Sequence, residues 1–122
     1  KIVFLGVTFK ANTDDMRDST SLNMIPYVAR KGAKVFYYDP TGEKKQFKNF
    51  KNCKFSNNLS MICKNADLII LHTEWDEFKN LDFKKLVKNK NFKLFDLRNL
   101  YNYDYMKKKK IKYYSIGRKP II

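Results

Sequence analysis

Apolar residues fall in short continuous runs and in helical spacings, and the two alternate along the chain. Ile2 to Val7 is almost wholly apolar, as a strand buried on both faces requires, and is predicted as the first strand. A polar loop from Ala11 to Asp18 follows. Leu22, Ile25, Val28 and Ala29 then recur at three- and four-residue intervals, the apolar face of a helix. Ser19, Thr20 and Ser21 are its candidate N-caps. Pro26 removes one backbone donor inside it, so a kink or a delayed start is expected. Gly32 supplies a left-handed residue at its end.

Val35 to Tyr38 is predicted as the second strand, closed by Asp39-Pro40. Ser56 or Asn57 caps a short helix through Ile62, and Asp67 to Leu71 forms the next strand. Leu81 to Val87 is helical in pattern, Lys93 to Asp96 a strand, Tyr103 to Lys109 a short helix and Lys112 to Ile116 the last strand. Strands alternating with helices predict an α/β fold: a Rossmann-like parallel sheet flanked by helices on both faces, as a single domain over residues 1–122. No repeat or linker divides it.

A chain of 122 residues is long enough to bury one core without disulfides or metal. No run approaches the roughly 18 apolar residues of a membrane span, and the short apolar start is no signal peptide. The first residue is Lys rather than Met, and a fragment cut at the start of a strand is expected. Cys53 and Cys63 form no CxxC and no metal-ligand spacing, so both are read as reduced residues of a cytoplasmic protein. The 26 basic and 12 acidic residues give a net charge of +14. The excess is mostly Lys spread along the chain, with one block, Lys107 to Lys110, so neither nucleic acid nor membrane is the expected partner. A positive field still favours the approach of a phosphorylated small molecule.

In a doubly wound sheet, ligands bind beyond the carboxyl ends of the strands. Three polar clusters fall there: Phe9-Lys10 through Arg17, Thr73-Glu74-Trp75, and Asp96 to Asn99. The first reads Gly6-Val7-Thr8-Phe9-Lys10 and is not the GxGxxG that lets backbone approach a pyrophosphate. Asp39 is accordingly read as a turn former before Pro40. Lys10 and Arg98 are candidate contacts for anions or hydroxyls, the first as a compact charge, the second as a planar fork. On spacing alone each is equally a solvated cation. Arg17 is placed to pair with Asp14 or Asp15, and Asp18 joins these acids near the helix start. His72 lacks the partners of a triad or metal site and is read as structural. Trp75 and Phe78 are expected to pack a loop on the sheet, with stacking on a base as the alternative.

Several segments resemble the carboxy-terminal domain of the UDP-glucose/GDP-mannose 6-dehydrogenase family. They are Gly6-Val7-Thr8-Phe9-Lys10-Ala11-Asn12-Thr13-Asp14-Asp15-Met16-Arg17-Asp18-Ser19, Gly32-Ala33-Lys34-Val35, Tyr38-Asp39-Pro40, Thr73-Glu74-Trp75-Asp76-Glu77-Phe78, Phe95-Asp96-Leu97-Arg98-Asn99-Leu100-Tyr101 and Tyr114-Ser115-Ile116-Gly117-Arg118. The Thr-Glu-Trp and Arg-Asn-Leu-Tyr segments favour the UDP-glucose branch over the GDP-mannose and N-acetylhexosamine branches. The resemblance implies a larger homo-oligomeric enzyme, with an amino-terminal NAD domain and a central helical region outside this chain. Such enzymes oxidise a sugar C6 alcohol to a carboxylate in two steps, reducing two NAD. It implies that Phe9, Lys10 and Arg98 contact the UDP-sugar and that Arg17 reaches NAD. The catalytic thiolate and its helpers belong to the other parts, so no catalytic residue is carried onto this chain. Leu97 stands where the family usually has Gly, and its side chain is expected to crowd the nucleotide or shift Arg98. The competing readings are a free-standing basic module for nucleic acid and a structural or oligomerisation domain.

Overall fold

The structure is a computed structural model describing residues 1–122. Its six strands are β1 (Ile2–Leu5), β2 (Val35–Tyr38), β3 (Cys53–Phe55), β4 (Leu68–Leu71), β5 (Lys93–Asp96) and β6 (Lys112–Ser115). They form one sheet in the order β3-β2-β1-β4-β5-β6, with every neighbouring pair parallel. The chain winds outward from β1 to β3, then crosses back to β4, which sets Ile2 beside Val35 on one side and Leu68 on the other. Strand order therefore reverses between β1 and β4.

Four helices complete the fold: α1 (Ser21–Arg30), α2 (Leu59–Cys63), α3 (Phe83–Leu86) and α4 (Tyr103–Lys108). Successive side chains of a strand point to opposite faces, so β1 feeds both halves of the core. Phe4 joins Ile25 and Ala29 of α1 with Tyr37 and Ile70. Val3 and Leu5 join Ile62 of α2, Phe83 of α3, Met106 of α4, and Leu94 and Tyr113. Both faces are covered, as the near-continuous apolar strands predicted. Each fully buried Phe, Leu or Ile here contributes roughly 1.5–3 kcal/mol.

Local differences from the predicted elements have identifiable causes. β1 stops at Leu5 because Gly6 takes φ +77°. Strand β3 was not predicted: three residues between Asn52 and Ser56 carry too little pattern. The cap of α2 is Asn58, whose side chain accepts the Met61 amide at 3.0 Å, while Ser56 accepts the Asn58 amide one step earlier. Asp82 caps α3, which is shorter than the predicted helix. Helix α1 runs through Pro26 and ends as expected, with Gly32 at φ +97° and the amides of Gly32 and Ala33 bonded to the carbonyls of Ala29 and Val28.

The two sheet edges differ. Tyr113 of β6 exchanges both backbone hydrogen bonds with Ile121, an antiparallel bridge that caps the outer edge. The opposite edge is β3, with Lys54 exposed. Cys53 and Cys63 are free and buried, and burial pushes both thiols up to about 12. No helix is long and apolar enough to cross a membrane.

Candidate functional site

The carboxyl ends of β1, β4 and β5 meet at the order reversal, and the polar residues there are buried: Thr8, Ser19, Ser21, Asp39, His72, Thr73 and Asp96. Buried polar groups persist only when paired, so their partners show what the rim is built to hold. Close approach begins at Gly6. A Cβ there would lie 2.6 Å from Cβ of Thr73, closer than two carbons can come, so glycine is what lets the β1 and β4 ends touch.

The three candidate caps of α1 serve the rim more than the helix, with only Ser19 accepting a helix amide, that of Ser21 at 3.4 Å. Ser19 and Ser21 donate their hydroxyls to the Val7 carbonyl at 2.7 and 2.6 Å. Thr20 turns to Nε2 of His72 at 2.8 Å, and α1 starts with no side-chain cap. Asp39 accepts the Val7 amide at 2.8 Å and the amide and hydroxyl of Thr41. It is the predicted turn former, and it also ties the β1 end to the β2 end.

His72 sits at the end of β4, its Nδ1 3.0 Å from the Thr73 hydroxyl. That hydroxyl donates its single proton to the Thr8 carbonyl at 2.9 Å, so it can only accept from the ring. Nδ1 therefore carries the proton, and Nε2 accepts from Thr20. Burial, reinforced by the Arg98 charge, pushes the imidazole down to about 4, so it is neutral at ordinary pH. The hydroxyl of the same Thr8 donates separately to the Lys10 carbonyl at 3.0 Å.

Arg98 closes the rim from β5. Its Nε donates to the His72 carbonyl and one Nη to the Phe9 carbonyl, both at 2.9 Å, while the other Nη pairs with Glu74 at 3.1 Å. Two of the five guanidinium N–H groups are thus hydrogen-bonded to backbone of the other two loops, and the remaining Nη faces the Glu74 carboxylate. The side chain is 31% exposed. Beneath it, buried Asp96 accepts the amides of Arg98 and Tyr101 and the hydroxyl of Tyr113, which in turn accepts from Arg118. Burial first, then the Asp96 contact, pushes the Tyr113 phenol above its ordinary range. Leu97 packs half-buried against the α1-side core.

Of the residues singled out in the sequence, Phe9, Lys10 and Arg98 come to the same rim, joined by the bond from Arg98 to Phe9. Phe9 and Lys10 are exposed. Arg17 stands apart, its side chain 88% exposed and bonded through Nε and Nη2 to Asp15. Its guanidinium holds the Asp15 carboxyl below the usual carboxylate range. Arg17 also borders a cleft of 470 Å³ shared with Lys44, Lys45 and Lys48. Trp75 is half-buried on the core beside fully buried Phe78, as loop packing predicted. Sequence reasoning missed Glu74 as the partner of Arg98, and His72 as the hub between loops. A lone His followed by Thr at a strand end was the only available hint.

An order-reversing parallel sheet with a polar, cationic rim at its switch point defines an α/β domain of the nucleotide-binding class, here without the glycine fingerprint for a dinucleotide. The chain belongs to the UDP-glucose/GDP-mannose dehydrogenase family, matching its UDP binding domain over residues 3–103. It is 40% identical over 119 residues to UDP-glucose 6-dehydrogenase of Rhizobium meliloti, covering 97% of this chain and 27% of that protein. Against the UDP-glucose 6-dehydrogenase of Gallus gallus it is 33% identical over 101 residues, covering 72% and 20%. Among solved structures it resembles NDP-N-acetyl-D-galactosaminuronic acid dehydrogenase from Methanosarcina mazei, with a TM-score of 0.80, 27% identity, and 97% and 25% of the two chains covered. The chain thus spans about a quarter of the length of these relatives.

Proposed function

We propose that this chain is the UDP-sugar-holding part of a larger NAD-dependent nucleotide-sugar 6-dehydrogenase of the UDP-glucose branch. The parent would oxidise the sugar's primary alcohol to a carboxylate and assemble as a homo-oligomer. The observation that carries the reading is the partly exposed Arg98 guanidinium, which joins the loops after β1, β4 and β5 on the rim that also carries Phe9 and Lys10. A planar fork and a compact ammonium on one rim suit a pyrophosphate. Phe9, with 45% of its surface exposed, offers an apolar face to base or sugar.

This chain's own crevice does not fit a dinucleotide. The β1 loop lacks the glycines, and Asp39, at the position of a ribose-binding acid, is spent on Val7 and Thr41. NAD is therefore assigned to another part of the parent, with exposed Arg17 as this chain's contact to it. Catalytic groups are assigned there too. What these residues do is bind and orient the nucleotide sugar, which lowers the barrier by fixing the reacting carbon in place.

Titrating UDP-glucose into the chain and following amide shifts by NMR tests this reading. Phe9, Lys10 and Arg98 should move first, with weak affinity because only part of the cleft is present. The Lys107 to Lys110 block precedes β6 and so lies at the amino ends of the strands, a strand length of roughly 13 Å or more from the rim. Shifts confined to that block would favour the basic-module reading instead.

A further inference from the structure

We propose that His72, through its Nδ1–H, is a positioning residue that sets the Phe9–Lys10 loop for ligand binding. This rests on the reading of that loop as the UDP-sugar site. His72 touches both arms of the rim. Its carbonyl receives Nε of Arg98 at 2.9 Å. Its ring starts a directed chain from Nδ1–H to the Thr73 hydroxyl and from there to the Thr8 carbonyl, while the Thr8 hydroxyl separately holds the Lys10 carbonyl. Every proton along the chain is assigned, because each hydroxyl has one hydrogen and each carbonyl only accepts.

The chain bears on Lys10 for a geometric reason. Phe9 and Lys10 are exposed and make no side-chain hydrogen bond, so their placement depends on backbone anchors. The anchors are four: Phe9 amide to Asp15 carbonyl, Phe9 carbonyl to Arg98, Lys10 carbonyl to Thr8, and Thr8 carbonyl to Thr73. The last is oriented by the ring. Without the Nδ1 donor, the Thr73 hydroxyl loses the partner that fixes its direction. The Nε2 branch runs the other way, to Thr20 at the start of α1, and does not lead to Lys10.

The two branches can be separated by substitution. His72→Asn places an amide N–H near the Nδ1 position and abandons Thr20. His72→Gln reaches toward the Nε2 position and abandons Thr73, and His72→Leu removes both. Nitrogen-15 NMR of the wild-type ring should show the Nδ1–H tautomer. UDP affinity should stay within about threefold of wild type in His72→Asn and fall about tenfold or more in His72→Gln and His72→Leu. Amide exchange at Phe9 should quicken in the latter two, while Leu94 in β5 keeps its rate. An Nε2–H tautomer, or affinity retained by His72→Gln but not by His72→Asn, overturns the proposal. Unchanged Phe9 exchange in His72→Leu overturns it whether or not UDP binds. If the wild type itself fails to bind UDP, the nucleotide site falls, and faster Phe9 exchange still upholds control of the loop by His72.

Discussion

Gly6 illustrates how one missing atom permits the rim. Its φ of +77° and the 2.6 Å approach of Thr73 exclude a side chain on two independent grounds, conformation and space. We expect Gly6→Ala to cost about 2–4 kcal/mol and to push Thr73 off the Thr8 carbonyl. Chemical denaturation would give the first quantity and UDP titration the second. A loss of stability with unchanged UDP affinity would show that the β1 and β4 ends need not touch for binding. Much of this scale escaped the sequence. Ser19, Thr20 and Ser21 carry the signature of a helix cap, yet all three hydroxyls go to tertiary partners, because unpaired groups inside the rim cost more than a bare helix start.

At the scale of elements, β5 and β6 are held at the rim by a single buried carboxylate. Asp96 collects two amides and the Tyr113 hydroxyl, and Arg118 lies over the rings of Tyr103 and Tyr113, each 5.6 Å away. Tyr113→Phe should therefore cost about 1–3 kcal/mol, more than a surface hydrogen bond, because it strips a buried acceptor of one donor. A thermal melt would measure this. Loosening of the Arg98 amide in exchange measurements would locate it, and a melt indistinguishable from wild type would mean that water replaces the hydroxyl. Elements with strong patterns were legible in advance: the apolar runs of β1, β2, β4 and β5, the amphipathic spacing of α1, and Gly32 at its end. β3 and the caps of α2 and α3 were not. Three-residue strands and single-turn helices owe their existence to the sheet they dock on, and local sequence says little about docking.

For the molecule as a whole, the neutral ring of His72 sets an acid limit. Its folded pKa of about 4 lies below the ordinary 6.5. Above about 6.5 the folded and unfolded chains both hold the ring neutral, and the full stability is present. As pH falls toward 4, the unfolded chain takes up a proton that the folded chain refuses, and stability is lost by about 3 kcal/mol across that window. Urea melts of wild type and His72→Leu at pH 7 and 4.5 should show the wild type losing more. Equal losses would assign acid sensitivity to other groups. Convergence of the three loops was foreseeable because a parallel sheet puts all its carboxyl ends on one side. The pairing of Glu74 with Arg98 was not, since nothing in sequence order links a residue after β4 to one after β5.

A sheet can grow by recruiting strands from other molecules only where it leaves backbone unpaired. Here one margin is interrupted by a bridge between Tyr113 and Ile121, and the other is three residues long with a lysine at its centre. A chain so rich in Phe, Tyr and Ile thereby gives fibrils almost nowhere to start. Its lysines, spread along the chain, are well placed to keep it dispersed.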